Sequence, residues 1–376
     1  MYLREIYLDN AATTAVRKEV ADFVYRLMCE NYGNPSSLHL RGLQAELAVK
    51  TAKRQIAGAL GCSEDCLYFT SGGTEANNTA VFGVSDAYKR EGNTIATTQY
   101  EHASVLAPFQ KLSSEEKQVL FLDPRLSPEE MVQAIPDDCY FVSLMYVNNE
   151  LGTVLDIPRI SKLLKQKRPS IILHCDAVQA FGKLPCKVGT LGVDLLTISA
   201  HKIYAPKGVG ALYVRKGIRF TPLLYGGHQQ KALRPGTESV PLIGGFGLAS
   251  ELVSKELPEH QKRTEQLYSL LIAGIAEIPE IILNSSGDTP SSIVNLSIPG
   301  IRSEIMLHFL EDKGIFVSSG SACARGEKSH VLSAIGLDAA RIDSALRISF
   351  GRDNTKEDIL ALLEALKEGI RTIRRA

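Results

Sequence analysis

This chain lacks the features that would tie it to a membrane, a nucleic acid or an oxidising compartment. No apolar run approaches the about 18 residues a bilayer span requires. Lysine and arginine together number 42 and aspartate and glutamate 42, so there is no bulk charge to draw the chain to nucleic acid or to an anionic membrane. The seven cysteines are an odd number at scattered positions, which does not suit a disulfide framework. Cys62 and Cys66 stand four apart, but no second Cys/His pair lies near enough to complete a zinc site, so no metal is expected. The opening Met1-Tyr2-Leu3-Arg4-Glu5 is charged and has no apolar signal-peptide core. Together these absences predict a reduced, cytoplasmic protein.

What is present is an ordinary globular composition, 44% hydrophobic and 22% charged, over 376 residues. That length strains a single core and predicts two lobes. Short apolar runs alternate with amphipathic segments through the first 250 residues, the pattern of a parallel α/β sheet. Strands are expected over 66–70, 94–98, 140–147, 171–176, 195–199 and 210–214. A helix is expected over 44–60, where Ala45, Ala48, Val49, Ala52, Ile56 and Leu60 share a face. Beyond residue 250 the pattern changes to a charged helix over 255–278 and short strands over 293–298 and 315–319. A last helix opens at Thr355-Lys356-Glu357-Asp358, which reads as a capping box. The second portion is therefore expected to be an α+β lobe.

Two strand ends carry the chemistry. The run over 171–173 leads into His174-Cys175-Asp176-Ala177, and the run over 194–198 ends in Ser199-Ala200-His201-Lys202, with Lys202 following Asp176 by 26 residues. A lysine and an acid delivered from neighbouring strand ends are what a pyridoxal phosphate site needs. The amine holds the aldehyde as a Schiff base, and the carboxylate keeps the pyridine nitrogen protonated so that the ring accepts electrons. Ser71-Gly72-Gly73-Thr74-Glu75-Ala76-Asn77 follows a strand and opens a helix. Glycines such as Gly73 allow close backbone approach, the free N–H groups favour a phosphate, and Thr74 adds a hydroxyl. A plain helix start would carry the same residues. His102, in Glu101-His102-Ala103-Ser104, could lie over the cofactor ring and move protons, or could be a surface histidine on a loop. Gln179, one turn past Asp176, could reach the phenolic oxygen, and Asn149 could contact the same region or the substrate.

These pieces resemble the NifS/IscS-like cysteine desulfurases, class V aminotransferases of fold type I, almost from end to end. The matching segments include Tyr7-Leu8-Asp9-Asn10-Ala11-Ala12, Gly33-Asn34-Pro35-Ser36-Ser37, Thr70-Ser71-Gly72-Gly73-Thr74-Glu75, Val147-Asn148-Asn149-Glu150-Leu151-Gly152, Asp176-Ala177-Val178-Gln179, Ser199-Ala200-His201-Lys202, Arg234-Pro235-Gly236-Thr237, Ser318-Ser319-Gly320-Ser321-Ala322-Cys323 and Arg347-Ile348-Ser349-Phe350-Gly351.

The resemblance implies a large cofactor-binding domain over 15–252, with a mostly parallel seven-stranded sheet. It implies a small α+β domain from 1–14 and 253–376 that carries the Cys323 loop. Lys202 would carry the Schiff base, Asp176 would face the pyridine nitrogen and His102 the ring. Gly73, Thr74, Ser199 and His201 would hold the phosphate, Gln179 the phenolic oxygen, and Asn149 would join the cofactor contacts. Thr237 would reach the partner subunit's cofactor, implying a homodimer with shared active sites. Arg347, with Asn149 and Asn10, would grip the carboxylate of L-cysteine, a task that suits a guanidinium fork. Cys323, on a small-residue loop with Arg325 favouring its thiolate, would take the substrate sulfur as a persulfide and leave L-alanine. An acceptor protein for iron–sulfur cluster assembly, or for tRNA or cofactor thiolation, would receive the sulfur. Only residues 324–329 separate Cys323 from His330, and the chain stops soon after its last helix. That widens the choice of acceptor to a dedicated partner as well as a general scaffold. Selenocysteine lyase or another class V lyase or aminotransferase activity is the alternative.

Overall fold

The computed structural model describes residues 4–115, 117–285, 291–319 and 328–373. The chain forms two compact units. One comprises Ala15–Tyr146 and Leu155–Leu257; the other comprises Met1–Thr14, Val147–Val154 and Pro258–Ala376.

The chain starts with a two-residue strand, β1 (Ile6–Tyr7), which belongs to the smaller unit. The larger unit is built on β2 (Leu67–Thr70), β3 (Thr94–Thr98), β4 (Gln118–Leu122), β5 (Cys139–Met145), β6 (Ile172–Asp176), β7 (Leu195–Ser199) and β8 (Gly210–Val214). They make a seven-stranded sheet in the order β2-β8-β7-β6-β5-β3-β4. All neighbours are parallel except β8, which runs antiparallel to both β2 and β7. Every residue of β3, β5, β6, β7 and β8 is buried, so both faces are covered and no strand alternates between buried and exposed positions; polar members such as Thr97, His174 and Thr197 are buried with the apolar ones. On one face the helix Gly73–Ala87 packs Ala76, Ala80, Val81 and Val84 against Ile95, Phe141, Leu195 and Leu212. The edge strand β4 was not among the expected strands. Its Val119-Leu120-Phe121-Leu122 run is apolar, yet as an edge strand it is only partly buried.

The smaller unit holds β9 (Ile282–Leu283), β10 (Ile293–Ser297), β11 (Ile315–Phe316), β12 (Ser318–Ser319) and β13 (Ala345–Ser349). Four of them form an antiparallel sheet in the order β12-β13-β10-β9, while β11 pairs in parallel with β1. The run expected as one strand over 315–319 is thus two strands serving different sheets. The helices Leu257–Ala276, Ser303–Glu311 and Lys356–Ile373 bury Leu271, Leu310 and Leu366 in the core that covers β10 and β13. The capping box read at Thr355 forms: Thr355 N–H donates to Asp358 Oδ2 (3.0 Å) and Asp358 N–H to Thr355 Oγ1 (3.4 Å). No helix among the described residues is long and apolar enough to cross a membrane.

Candidate active site

The sheet register gathers the larger unit's chemistry at one edge. Thr70, Gly210 and Ser199 align across β2, β8 and β7, and Asp176 ends β6 two positions short of the end of β7, opposite Thr197. The loops leaving β2, β3, β6 and β7 therefore emerge on the same side, at the carboxyl ends of the parallel strands, where open α/β sheets bind their ligands. Close packing fixes the first of these loops. A Cβ on Gly210 would lie 2.7 Å from the carbonyl carbon of Gly72, so only glycine admits this approach. A Cβ on Gly73 would lie 3.0 Å from Val178 Cγ2 and 3.6 Å from Ser199 Cβ, which puts the helix start beside the end of β7.

That start is built for an anion. The helix Gly73–Ala87 has Gly72 as N-cap and no side chain capping it, so its first N–H groups are not taken by a cap. Thr74 sits in the first turn and Ser199, 2% exposed, faces it from β7. Glu75, also in the first turn, would repel a phosphate, but it is engaged elsewhere. Arg234 Nε donates to its Oε1 (2.9 Å) and Ser71 N–H to its Oε2 (2.8 Å). Burial would raise its carboxyl, but these hydrogen bonds outweigh burial and hold it below the usual glutamate range. His201, in the short turn Ala200–Lys202, is driven down to about 4 by burial and then by the charges of Lys202, Lys207 and Lys183. Its imidazole is therefore neutral at pH 7 and can donate one hydrogen bond to a phosphate oxygen. Lys202 closes the same turn, directly after β7.

Asp176 is 4% exposed and each of its oxygens accepts one hydrogen bond, from Val178 N–H (2.9 Å) and from Asn77 Nδ2 (2.8 Å). Those bonds orient the carboxylate and leave lone pairs for a protonated ring nitrogen. His102 caps the helix Ala103–Ser114: Ser104 N–H donates to its Nδ1 (3.1 Å) while the side chain stays exposed. Gln179 is 5% exposed and its Oε1 accepts from Lys183 Nζ (3.1 Å), so its amide nitrogen is the end suited to a phenolate oxygen. Thr237 is exposed just beyond a strained stretch in which Gln230, Lys231 and Ala232 all have left-handed backbones, with φ of 48°, 58° and 61°. Such residues cost about 1–2 kcal/mol each. The stretch is held by Gln230, which accepts from Phe69 N–H (3.1 Å) and bonds Glu238, and by Lys231 on Asp65 (3.0 Å).

The smaller unit holds the other candidates. Arg347, on β13, gives Nη2 to Asp9 Oδ1 (2.8 Å) and Nη1 to the carbonyl of Asn149 (3.1 Å). Its Nε is buried without a partner among the described residues, as is Asn149 Oδ1. An unsatisfied buried donor of this kind fits a carboxylate ligand. Asn149 sits in a tight loop set by Asn148, whose Oδ1 accepts from Glu150 N–H (2.9 Å) and Leu151 N–H (2.8 Å). The Asn10 amide nitrogen is directed inward, to Tyr7 O, Ser349 O and Asn354 Oδ1 at 3.1–3.3 Å, so this group ties the N-terminal strand down. Cys323 and Arg325 lie outside the described residues. Asn77 and Ser104 were not among the expected site residues, although both fall inside the sequence motifs. The signal for Asn77 is a buried amide on a helix face that otherwise presents Ala76, Ala80, Val81 and Val84.

Comparison with known proteins agrees with this arrangement. Residues 6–362 match the family described as aminotransferase class-V. A cysteine desulfurase IscS of Methanosarcina thermophila is 41% identical over 378 residues, covering 99% of this chain and 93% of the relative. Among solved structures, a NifS-like protein superposes with a TM-score of 0.91 at 34% identity, covering 99% of this chain and all of the other. A structure described as SspA in complex with cysteine gives a TM-score of 0.80 at 32% identity, covering 92% and 98%. The chain belongs to the class-V aminotransferase family.

Proposed function

We propose that this protein is a pyridoxal phosphate-dependent cysteine desulfurase that converts L-cysteine to L-alanine and carries the released sulfur as a persulfide on Cys323. The observation that carries the reading is the convergence, at one sheet edge, of an uncapped helix start, a buried oriented carboxylate and a lysine. These fit the phosphate, the ring nitrogen and the aldehyde of one cofactor. Support also comes from relatives that bear the cysteine desulfurase name and from a similar structure described with cysteine bound.

Bound pyridoxal phosphate supplies an electron sink for charge that develops on the substrate carbon chain. Thr74, Ser199, His201 and the N–H groups at Gly73 hold its phosphate, Asp176 its ring nitrogen, Gln179 and Asn149 its polar edge, and His102 its face. Lys202 takes the proton from the substrate Cα and returns one to the carbon skeleton. Arg347, through its unpartnered Nε, holds the carboxylate, with Asn149 beside it. The Cys323 thiolate attacks the substrate sulfur; the Cβ–Sγ bond breaks, its electron pair remains with carbon, and His102 moves the thiol protons. An acceptor protein then takes the persulfide sulfur for iron–sulfur or thiolation chemistry.

We also propose a homodimer, in which Thr237 serves the partner's site. The helices Lys18–Cys29 and Leu40–Leu60 leave Tyr25, Met28, Leu40, Leu43 and Leu47 exposed, an apolar surface of the kind that partners cover. Free thiols at all six described cysteines support a reducing, cytoplasmic setting.

The deciding experiment is spectroscopic and chemical together. The purified protein should show a visible cofactor band that Lys202→Ala loses. On addition of L-cysteine it should form one alanine per sulfane sulfur, and Cys323→Ala should keep the band but form no persulfide. A keto acid in place of alanine would move the protein to a lyase or transaminase, and a protein that takes up no pyridoxal phosphate would end the reading altogether.

A further inference from the structure

Asn77 and Ser104 form a hydrogen-bonded relay between the two residues that face the cofactor in the reading above. Asn77 is 1% exposed, and its Nδ2 lies 2.8 Å from Asp176 Oδ2 and 2.8 Å from Ser104 Oγ. Ser104 Oγ lies 2.8 Å from His102 Nδ1, the same nitrogen that accepts the Ser104 N–H at 3.1 Å. The hydrogens follow from the chemistry of the ends. An ionised carboxylate only accepts, so Asn77 must turn its amide nitrogen, not its oxygen, toward Asp176. The second amide proton then goes to Ser104 Oγ. With Oγ accepting from Asn77, the hydroxyl proton is left to point at His102 Nδ1. Two donors converge on that nitrogen, so it carries the lone pair and the neutral ring keeps its proton on Nε2.

The cost of this arrangement argues that it serves a purpose. Asn77 Oδ1 is buried with no hydrogen-bond partner among the described residues, a penalty of about 1–3 kcal/mol that an apolar residue on the same helix face would avoid. We infer that Asn77 and Ser104 are positioning residues: they fix the rotation of the Asp176 carboxylate and the tautomer of His102 together, so that proton movement at His102 takes place at Nε2. The inference rests on the roles proposed above for Asp176 and His102. Its logic is that of outer-shell groups that orient a ligating histidine or carboxylate, where loss costs roughly 10–100-fold in affinity or activity.

The test uses the apoenzyme, prepared by removing any bound cofactor, and needs no turnover. Imidazole 15N signals, assigned to His102 by their loss in His102→Gln, should show only the Nε2–H tautomer in the native sequence. Asn77→Leu and Ser104→Ala should each bring in a measurable Nδ1–H fraction, and Ser104→Thr should restore the native signal. Asn77→Leu should also raise the dissociation constant for added pyridoxal phosphate roughly 10–100-fold. A native ring protonated on Nδ1, or native signals in both folded variants, would overturn the relay. If Asn77→Leu does not fold, the Ser104→Ala and Ser104→Thr pair decides it alone. If even the native apoenzyme fails to bind pyridoxal phosphate, the cofactor reading fails while the imidazole signals still judge the relay.

Discussion

Arg347 is placed with two of its three nitrogens committed and the third held back. Asp9 balances the guanidinium charge and the Asn149 carbonyl fixes its plane, while Nε stays buried and unpaired among the described residues. A charge-assisted hydrogen bond is worth about 1.5–3 kcal/mol, roughly a 10–100-fold change in binding. Arg347→Ala should therefore raise KM for L-cysteine by roughly that factor, and Arg347→Lys should recover little, because an ammonium cannot reproduce the fork. Equal KM values for Arg347→Ala and the native protein in a steady-state assay would remove Arg347 from substrate recognition. The motifs had pointed to this arginine by resemblance. Its open valence is a tertiary fact, set by β13 pairing with β12 and β10 and by a loop far away in sequence.

Among the elements, the amphipathic helices of the larger unit show the limits of reading a face from periodicity. The apolar stripe expected over 44–60 is buried at Ala45, Val49, Ala52, Ile56 and Leu60. The same helix, which begins earlier at Leu40, carries Leu40, Leu43 and Leu47 on a second apolar face that stays exposed within this chain. Burying a leucine gains about 1.5–3 kcal/mol, and placing a carboxylate in an apolar interface reverses that gain. The double substitution Leu43→Glu, Leu47→Glu should weaken self-association roughly 100-fold or more. In analytical ultracentrifugation the proposed dimer should shift toward monomer at micromolar concentration. A native dimer left intact by the double substitution would place the contact surface elsewhere.

Over the whole molecule, stability responds to two buried groups of opposite sign. Glu101 is fully buried. Burial, reinforced by the nearby Asp176 charge and opposed by hydrogen bonds from Thr98 Oγ1 (2.5 Å) and Met145 N–H (3.0 Å), pushes its carboxyl up to about 8 from the ordinary 4.5. The folded protein thus keeps a proton that the unfolded chain releases, so this contribution is complete below pH 4.5 and disappears as pH rises through about 8. His174 lies wholly within the sheet between Ser143 Oγ (2.8 Å) and Thr197 Oγ1 (2.9 Å), and burial draws it down to about 3 from 6.5. Its contribution is present above pH 6.5 and is lost as pH falls toward 3. Glu101→Gln should flatten the loss of Tm between pH 4.5 and 8 and leave the acid side unchanged. Parallel Tm profiles for the two proteins over that window would show that Glu101 is not the group responsible.

The amino-acid sequence by itself determined the α/β architecture and the positions of its central strands. Strands covered on both faces are buried at every position, and those over 94–98, 195–199 and 210–214 have the bounds expected of them. It also singled out Lys202, Asp176 and the start at Gly73 as candidates, because each stands just past or at the end of an apolar run. The edge strand β4 was not expected despite its apolar run over 119–122, and the run over 315–319 gave no sign that its halves enter different sheets. The relay from Asp176 to His102 was equally hidden. It joins the end of β6 to the starts of two helices across separations of up to 99 residues, and only the folded arrangement brings those hydrogen-bonding atoms within 3 Å. Local pattern records which face of an element is buried; which buried polar atoms meet is decided when the elements pack.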